Sequence, residues 1–161
     1  MLTRRSLRLR GFSYVGRQRY FITFTTFRRT RHFLGRDPVT LVSSQFARAS
    51  CETSIDILTY CFMPDHVHLL LAGATESADC RTFLRRSKQY SGFHFRARTG
   101  QILWQWDCHE SRVNSPSGAR QVAKYILANP LRAGLVERPH EYPYSGSFAW
   151  DAAEALQLRT G

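Results

Sequence analysis

The strongest constraint in this chain is a pair of apolar runs near its middle, Ile55 to Phe62 and His66 to Ala72, joined by the short break Met63-Pro64-Asp65. Two strand-length runs separated only by a proline-containing turn read as an antiparallel hairpin, and Gly73 ends the second of them. A segment of helical periodicity stands on either side. Behind Pro38, which suits the first turn of a helix, Val39, Val42, Phe46 and Ala49 recur every three or four residues as far as about Ser50. From Asp79 to about Arg98 the pattern repeats, with Phe83, Leu84 and Tyr90 inward and Arg81, Arg85, Arg86 and Lys88 as a basic outer surface. Gly92 and the Thr99-Gly100 pair weaken the second half of that helix.

Two further strands flank this centre. Tyr20 to Phe27 is dense in aromatic and β-branched residues, and Ile102-Leu103-Trp104-Gln105-Trp106 begins a fourth strand that reaches toward Val113. Arg120 to Asn129 then forms a last helix with Val122, Tyr125 and Ile126 at helical spacing. Pro130 is expected to stop it, and the tail beyond reads as wrapping coil. The order β-α-β-β-α-β plus a helix is that of an α+β, ferredoxin-like split βαβ sandwich: an antiparallel sheet with two helices on one face. The other face is left for the extra helix or for a site. A chain of 161 residues fits one domain, 1–161, divided into a basic arm (1–19), a core that includes the last helix (20–130) and a tail (131–161).

Charge narrows the partner. The net charge is +11 with a pI near 10.3, and of the 23 basic residues only Lys88 and Lys124 are lysines. Arginine suits bidentate contact with phosphates and base edges. Before Asp37 the chain holds ten arginines and no acid. A polyanion follows, nucleic acid first and an anionic membrane surface second, against a plain solvated arm. The arginine-rich start resembles a transit sequence, but the strand that follows at once favours a working part of the protein. Apolar stretches such as Leu69 to Ala72 are too short to span a bilayer, so no membrane protein is expected. Cys51, Cys61, Cys80 and Cys108 stand far apart with no Cys-x-x-Cys pair, which argues against a zinc ribbon or a disulfide framework and for a reducing, cytoplasmic setting.

His66-Val67-His68 carries the first candidate chemistry. Strand alternation puts both imidazoles on one sheet face and Val67, Leu69 and Leu71 on the other, which makes the histidines a natural pair of metal ligands. A bare His-x-His does not decide between that role and an incidental one. Tyr125 and Asn129 lie one helical turn apart, although core packing for the tyrosine and a plain helix stop for the asparagine remain open. The residue before a proline is also pushed away from helical geometry, which would swing Asn129 away from Tyr125. Together the four residues fit one reaction class. A divalent cation on two histidines and an amide oxygen can stabilise charge on a phosphodiester, and a phenol one turn away can attack the phosphorus. With an ordinary pKa of about 10 and no evident base beside it, the phenol needs such electrophilic help.

Met63-Pro64-Asp65-His66-Val67-His68-Leu69-Leu70, Leu103-Trp104-Gln105 and Tyr125 to Val136 (YILANPLRAGLV) resemble the REP-associated tyrosine transposases, within the HUH single-tyrosine superfamily. The arginine-rich start with Tyr20 to Phe24, and the tail Tyr142-Pro143-Tyr144-Ser145-Gly146-Ser147, extend the resemblance over nearly the whole chain. It implies a ferredoxin-like palm, His66, His68 and Asn129 as ligands of Mg2+ or Mn2+, and Tyr125 as nucleophile. The implied substrate is single-stranded DNA beside a palindromic hairpin, cut to a 5′-phosphotyrosine and a free 3′-hydroxyl. The implied enzyme is a monomer or a homodimer. After Trp104-Gln105 the chain departs from the family pattern with Trp106-Asp107-Cys108-His109-Glu110, a change that touches strand packing or base contacts. Cys108-His109 is not read as a metal site, because neighbouring strand residues face opposite ways. Arg4, Arg5, Arg8 and Arg10 are expected to clamp hairpin phosphates, Arg85, Arg86 and Lys88 to line the single-strand path, and Trp106 or Trp104 to stack an unpaired base, with Trp104 equally suited to the core. Two other readings stay open: a ferredoxin-like module that binds nucleic acid without cutting it, and a metal-dependent hydrolase that uses water.

Overall fold

A computed structural model of the chain describes residues 13–149. Its elements are β1 (Arg19–Thr25), α1 (Arg36–Thr53), β2 (Ile55–Met63), β3 (His66–Gly73), α2 (Cys80–Thr99), β4 (His109–Val113), α3 (Pro116–Arg132) and β5 (Ser145–Ser147). The sheet order is β4-β1-β3-β2-β5 with every neighbouring pair antiparallel. Strands β1 to β4 with α1 and α2 make the expected ferredoxin-like arrangement, and β5 is added at one edge.

Both faces of the sheet are covered, and the two-residue alternation of β1 and β3 decides what each face receives. Tyr20, Ile22 and Phe24 of β1 and Val67, Leu69 and Leu71 of β3 join Val42, Phe46 and Ala49 of α1 and Phe83, Leu84 and Phe95 of α2 in one core. On the opposite face Cys61, Met63 and Leu70 pack against Ala119, Ala123 and Ile126 of α3. Phe21, Thr23, His66 and His68 belong to the face that α3 covers.

Helix starts follow local chemistry. The Asp79 carboxylate accepts from the Thr82 N–H at 3.0 Å and so caps α2, while Gly100 ends it in the left-handed region at φ 73°. Helix α2 continues through Gly92. The Ser115 hydroxyl caps α3 by accepting from the Gly118 N–H at 3.0 Å, with Pro116 in the first turn.

Three sequence expectations need correction. The fourth strand is His109–Val113, only the last part of the expected Ile102–Val113 segment, whose beginning, Ile102–Trp106, makes a single bridge between Trp104 and Thr26. Trp104 is instead part of the helix-side core, against Phe24, Phe33 and Phe46, and its indole N–H donates to Ser91 Oγ at 2.8 Å. The real edge strand reads His-Glu-Ser-Arg-Val and carries almost no apolar signal. Second, Pro130 does not end α3, which runs to Arg132. The proline lacks the N–H that would bond the Ile126 carbonyl, but the helix continues two residues past it, and its ring is buried, as are Ala123, Ile126 and Leu127. Third, the tail is not only coil: β5 pairs with Thr59, Tyr60 and Cys61, and the Phe62 N–H donates to the Tyr144 carbonyl at 2.8 Å. Before β1, Tyr14 is buried against Tyr20 and Val15 bridges to Asp79, so packing begins ahead of residue 19. Among the described residues all four cysteines are free, and no helix is long and apolar enough to cross a membrane.

Gly73 closes β3 where a Cβ would stand 1.9 Å from the Gly16 carbonyl oxygen, whereas Gly35 has nothing within 4 Å of its Cβ position. Gly73→Ala is expected to lower the urea midpoint by the equivalent of about 1–3 kcal/mol, with Gly35→Ala close to wild type in the same titration.

Candidate active site

His66 and His68 project from β3 on the α3 side with ring centroids 4.7 Å apart and their Nε2 atoms 3.2 Å apart. Each outer nitrogen is engaged. His66 Nδ1 lies 2.7 Å from Asp65 Oδ1, and His68 Nδ1 lies 2.8 Å from Thr23 Oγ1, its cross-strand partner on β1. An ionised carboxylate only accepts, so Asp65 fixes the proton of a neutral His66 on Nδ1 and leaves Nε2 as a lone-pair donor. Burial works against the Asp65 charge, but hydrogen bonds from His66 and Arg29 outweigh it and hold the carboxyl below its usual range. Arg29 Nη1 reaches Asp65 Oδ2 at 3.1 Å.

His68 is buried. That burial, reinforced by the neighbouring His66, Arg132 and His109, pushes its pKa down to about 3, so the ring is neutral at physiological pH. Two imidazoles whose Nε2 atoms face each other at 3.2 Å need a proton or a cation between them.

Helix α3 brings Tyr125 to the same place. Its ring centroid is 6.0 Å from that of His68 and 5.7 Å from that of Phe21, which itself lies 5.5 Å from His68. The Tyr125 side stays open to solvent, with 45% of the residue exposed, so a substrate can reach it. Arg132 holds the ring from the helix side. Its guanidinium carbon lies 4.0 Å from the Tyr125 ring centroid, and Nη2 donates to the Tyr125 carbonyl at 3.2 Å. Asn129 lies inside α3, one turn beyond Tyr125 and on its face. The amide nitrogen of Asn129 is buried without a hydrogen-bond partner among the described residues. Among those residues no cluster of three or more His, Cys, Asp or Glu side chains is poised to hold a metal.

The DNA-contact residues fall in different places. Arg4, Arg5, Arg8 and Arg10 lie outside the described residues. Arg85 is exposed on α2 beside Trp106, which is 80% exposed. Arg86 pairs with Glu52 at 2.8 Å. Lys88 departs from the expected basic outer surface: it is half-buried, and its ammonium donates to the carbonyls of Gln105, Trp106 and Asp107 at 2.8, 3.2 and 2.6 Å. It thereby anchors the segment that carries Trp106. Sequence reasoning missed Thr23, Asp65, Phe21 and Arg132. Arg132 stands seven residues from Tyr125, two turns along one face, and is visible in the pattern once α3 is allowed to pass Pro130. Thr23 has no local signal, because only strand register sets it beside His68, and the same register puts His109 on its other side.

This geometry now meets comparison with known proteins. The sequence profile described as "Transposase IS200 like" matches residues 14–128. A Haemophilus influenzae (strain Rd) protein assigned to the REP-associated tyrosine transposases is 24% identical over 139 residues, which cover 78% of this chain and 77% of that protein. Among solved structures, a REP-associated tyrosine transposase bound to a REP hairpin superposes with a TM-score of 0.74 at 20% identity, over 93% of this chain and 89% of that one. A crystal structure assigned as a transposase from Deinococcus radiodurans R1 gives 0.53 at 22% identity, over 72% and 93%. The chain belongs to the IS200-like transposase family, whose members are DNA-cleaving enzymes.

The buried, neutral His68 also sets a pH dependence. Its folded pKa of about 3 lies below the ordinary histidine value of about 6.5, so between these values the unfolded chain binds more protons and stability falls as pH falls. In chelator-treated protein the urea midpoint is expected to drop between pH 6.5 and pH 4, with a contribution of at most about 1.4 kcal/mol per pH unit. His68→Gln is expected to flatten that slope.

Proposed function

We propose that this protein is a metal-dependent single-stranded DNA endonuclease and strand transferase, which cuts beside palindromic, REP-like hairpins through a 5′-phosphotyrosine on Tyr125. The observation that carries the reading is the meeting of an exposed phenol with a facing imidazole pair within one chain, 6.0 Å between the Tyr125 and His68 rings. The hairpin partner is drawn from the likeness to the hairpin-bound transposase, together with the +11 charge of this chain. The work would be done in the cytoplasm, in keeping with DNA as substrate and with free thiols.

His66, His68 and Asn129 would hold Mg2+ or Mn2+, which when bound supplies Lewis-acid stabilisation of the phosphodiester charge. Asp65 and Thr23 orient the two imidazoles through Nδ1 and keep Nε2 of each aimed at the same point. Arg132 grips the Tyr125 ring and backbone, so the phenol oxygen is presented from a fixed helix face. The Tyr125 oxygen attacks phosphorus, the bond from phosphorus to the 3′-oxygen breaks, and a phosphotyrosyl ester forms. The phenol proton passes to solvent, which reaches this side chain, and the departing 3′-oxygen takes up a proton to become a hydroxyl. The ester retains the energy of the broken bond, so a second 3′-hydroxyl can reverse the step and join strands.

A hairpin oligonucleotide labelled on the 3′ side of the cut, incubated with the protein and Mg2+ and then denatured, is expected to leave label covalently on the protein. Tyr125→Phe and His68→Ala should each abolish the adduct, as should EDTA, and Tyr125→Phe should still bind the oligonucleotide. Cleavage that survives Tyr125→Phe would identify water as the nucleophile, and tight binding with no wild-type adduct would identify a binding module.

A further inference from the structure

A cleft of about 710 Å³ lies away from the histidines and takes no part in the chemistry above. One wall is a single face of α2, with Arg85, Gln89, Gly92, Phe93 and Arg96 at helical spacing. The other wall is the 102–106 segment that Lys88 anchors, and Phe27 closes one end. Trp104 and Leu103 are buried at its base. Over them stand two exposed rings, Trp106 at 80% exposure and Phe93 at 70%. The charged side chains lining the cleft, Arg85, Lys88 and Arg96, are all cationic.

A chain of contacts links this cleft to the histidine pair. Thr25, the last residue of β1, faces His66 across one side, and on the other its carbonyl accepts from the Gln105 N–H at 2.9 Å. Beyond Thr25 the backbone turns through Phe27, Arg28 and Arg29. Both arginines hold φ 54°, a left-handed conformation that costs a side-chain-bearing residue free energy and persists where surroundings impose it. Arg29 pairs with Asp65, which orients His66, while the Arg28 guanidinium lies 5.1 Å from the Phe27 ring that closes the cleft. A basic turn therefore leads from the histidines round the end of the sheet to the cleft.

We propose that the cleft is a nucleobase-docking subsite, which stacks unpaired nucleotides of the strand being cut on Trp106 and Phe93 while Arg85 and Arg96 meet their phosphates. Charge complementarity selects an anionic occupant, and exposed rings on two rigid walls select one with flat apolar faces; single-stranded nucleic acid has both properties. The subsite rests on the single-strand reading above, and binding tests it apart from cleavage.

The probe is fluorescein-labelled oligo(dT), titrated by fluorescence anisotropy into the full chain carrying Tyr125→Phe, so that no cutting intervenes. In that background Trp106→Ala and Phe93→Ala are each expected to weaken binding at least about fivefold, with Trp106→Phe retaining most of the affinity. Arg85→Ala or Arg96→Ala should reduce the slope of log affinity against log salt by about 0.7. In parallel, 5-iodouracil placed in the same strand should photocrosslink to Trp106 or Phe93, mapped by mass spectrometry. Circular dichroism of each variant reports whether it folds; both rings are exposed, so native spectra are expected. Unchanged affinity in folded Trp106→Ala and Phe93→Ala, or crosslinks confined to other segments, would overturn the subsite, while the Mg2+-dependent adduct of the wild-type chain is read separately and tests only the tyrosine chemistry.

Discussion

Two-sided burial of β3 is the constraint on which the rest depends. Val67, Leu69 and Leu71 are locked into the core under α1 and α2, so the alternate positions must face the other way. A slip of one residue would send both imidazoles into that core and three aliphatic side chains out of it. Register thus fixes the histidines in place far more firmly than their own hydrogen bonds do, since those bonds are worth only about 1 kcal/mol each. The neighbouring Leu70 supplies the apolar contact on which α3 settles with Ala119, Ala123 and Ile126. Packing of that helix in turn carries Tyr125 to His68.

The site is consequently a product of tertiary packing rather than of any local motif. Its parts come from β1 (Phe21, Thr23), the turn before β3 (Asp65), β3 itself and α3, and none is adjacent in sequence to all the others. The electrostatics follow from the same placement. A ring sealed under α3, its pKa lowered by burial with the Arg132 charge nearby, stays neutral and keeps a lone pair, which suits a ligand and does not suit a surface histidine. Arg132 contributes in two ways at once, as one of the charges near His68 and as the clamp on Tyr125.

Much of this was legible in the sequence, for identifiable reasons. The hairpin, both sheet-covering helices and the shared face of His66 and His68 were set by apolar periodicity, which survives wherever one side of an element is fully buried. Where the edge strand β4 begins was not legible, because only Val113 in it is buried and its residues are mostly polar. The Trp104 segment imitated a strand since a core segment of irregular backbone can be as apolar as a ladder. Asn129 was read as the last residue of the helix, with the pre-proline effect working against it, and in α3 it is helical where the helix packs over β2. Thr23 was invisible for a different reason: nothing along the chain encodes which residue of β1 meets His68.

The central claim is that phenol and imidazoles of one and the same chain form the working site. It is tested most directly by mixing two individually inactive proteins, Tyr125→Phe and His68→Ala, with hairpin DNA and Mg2+ under conditions where wild type forms its covalent adduct. Single-chain geometry predicts no adduct at any mixing ratio. Recovery of adduct in the mixture would mean that the tyrosine of one subunit serves the histidines of another, and would contradict the arrangement described above.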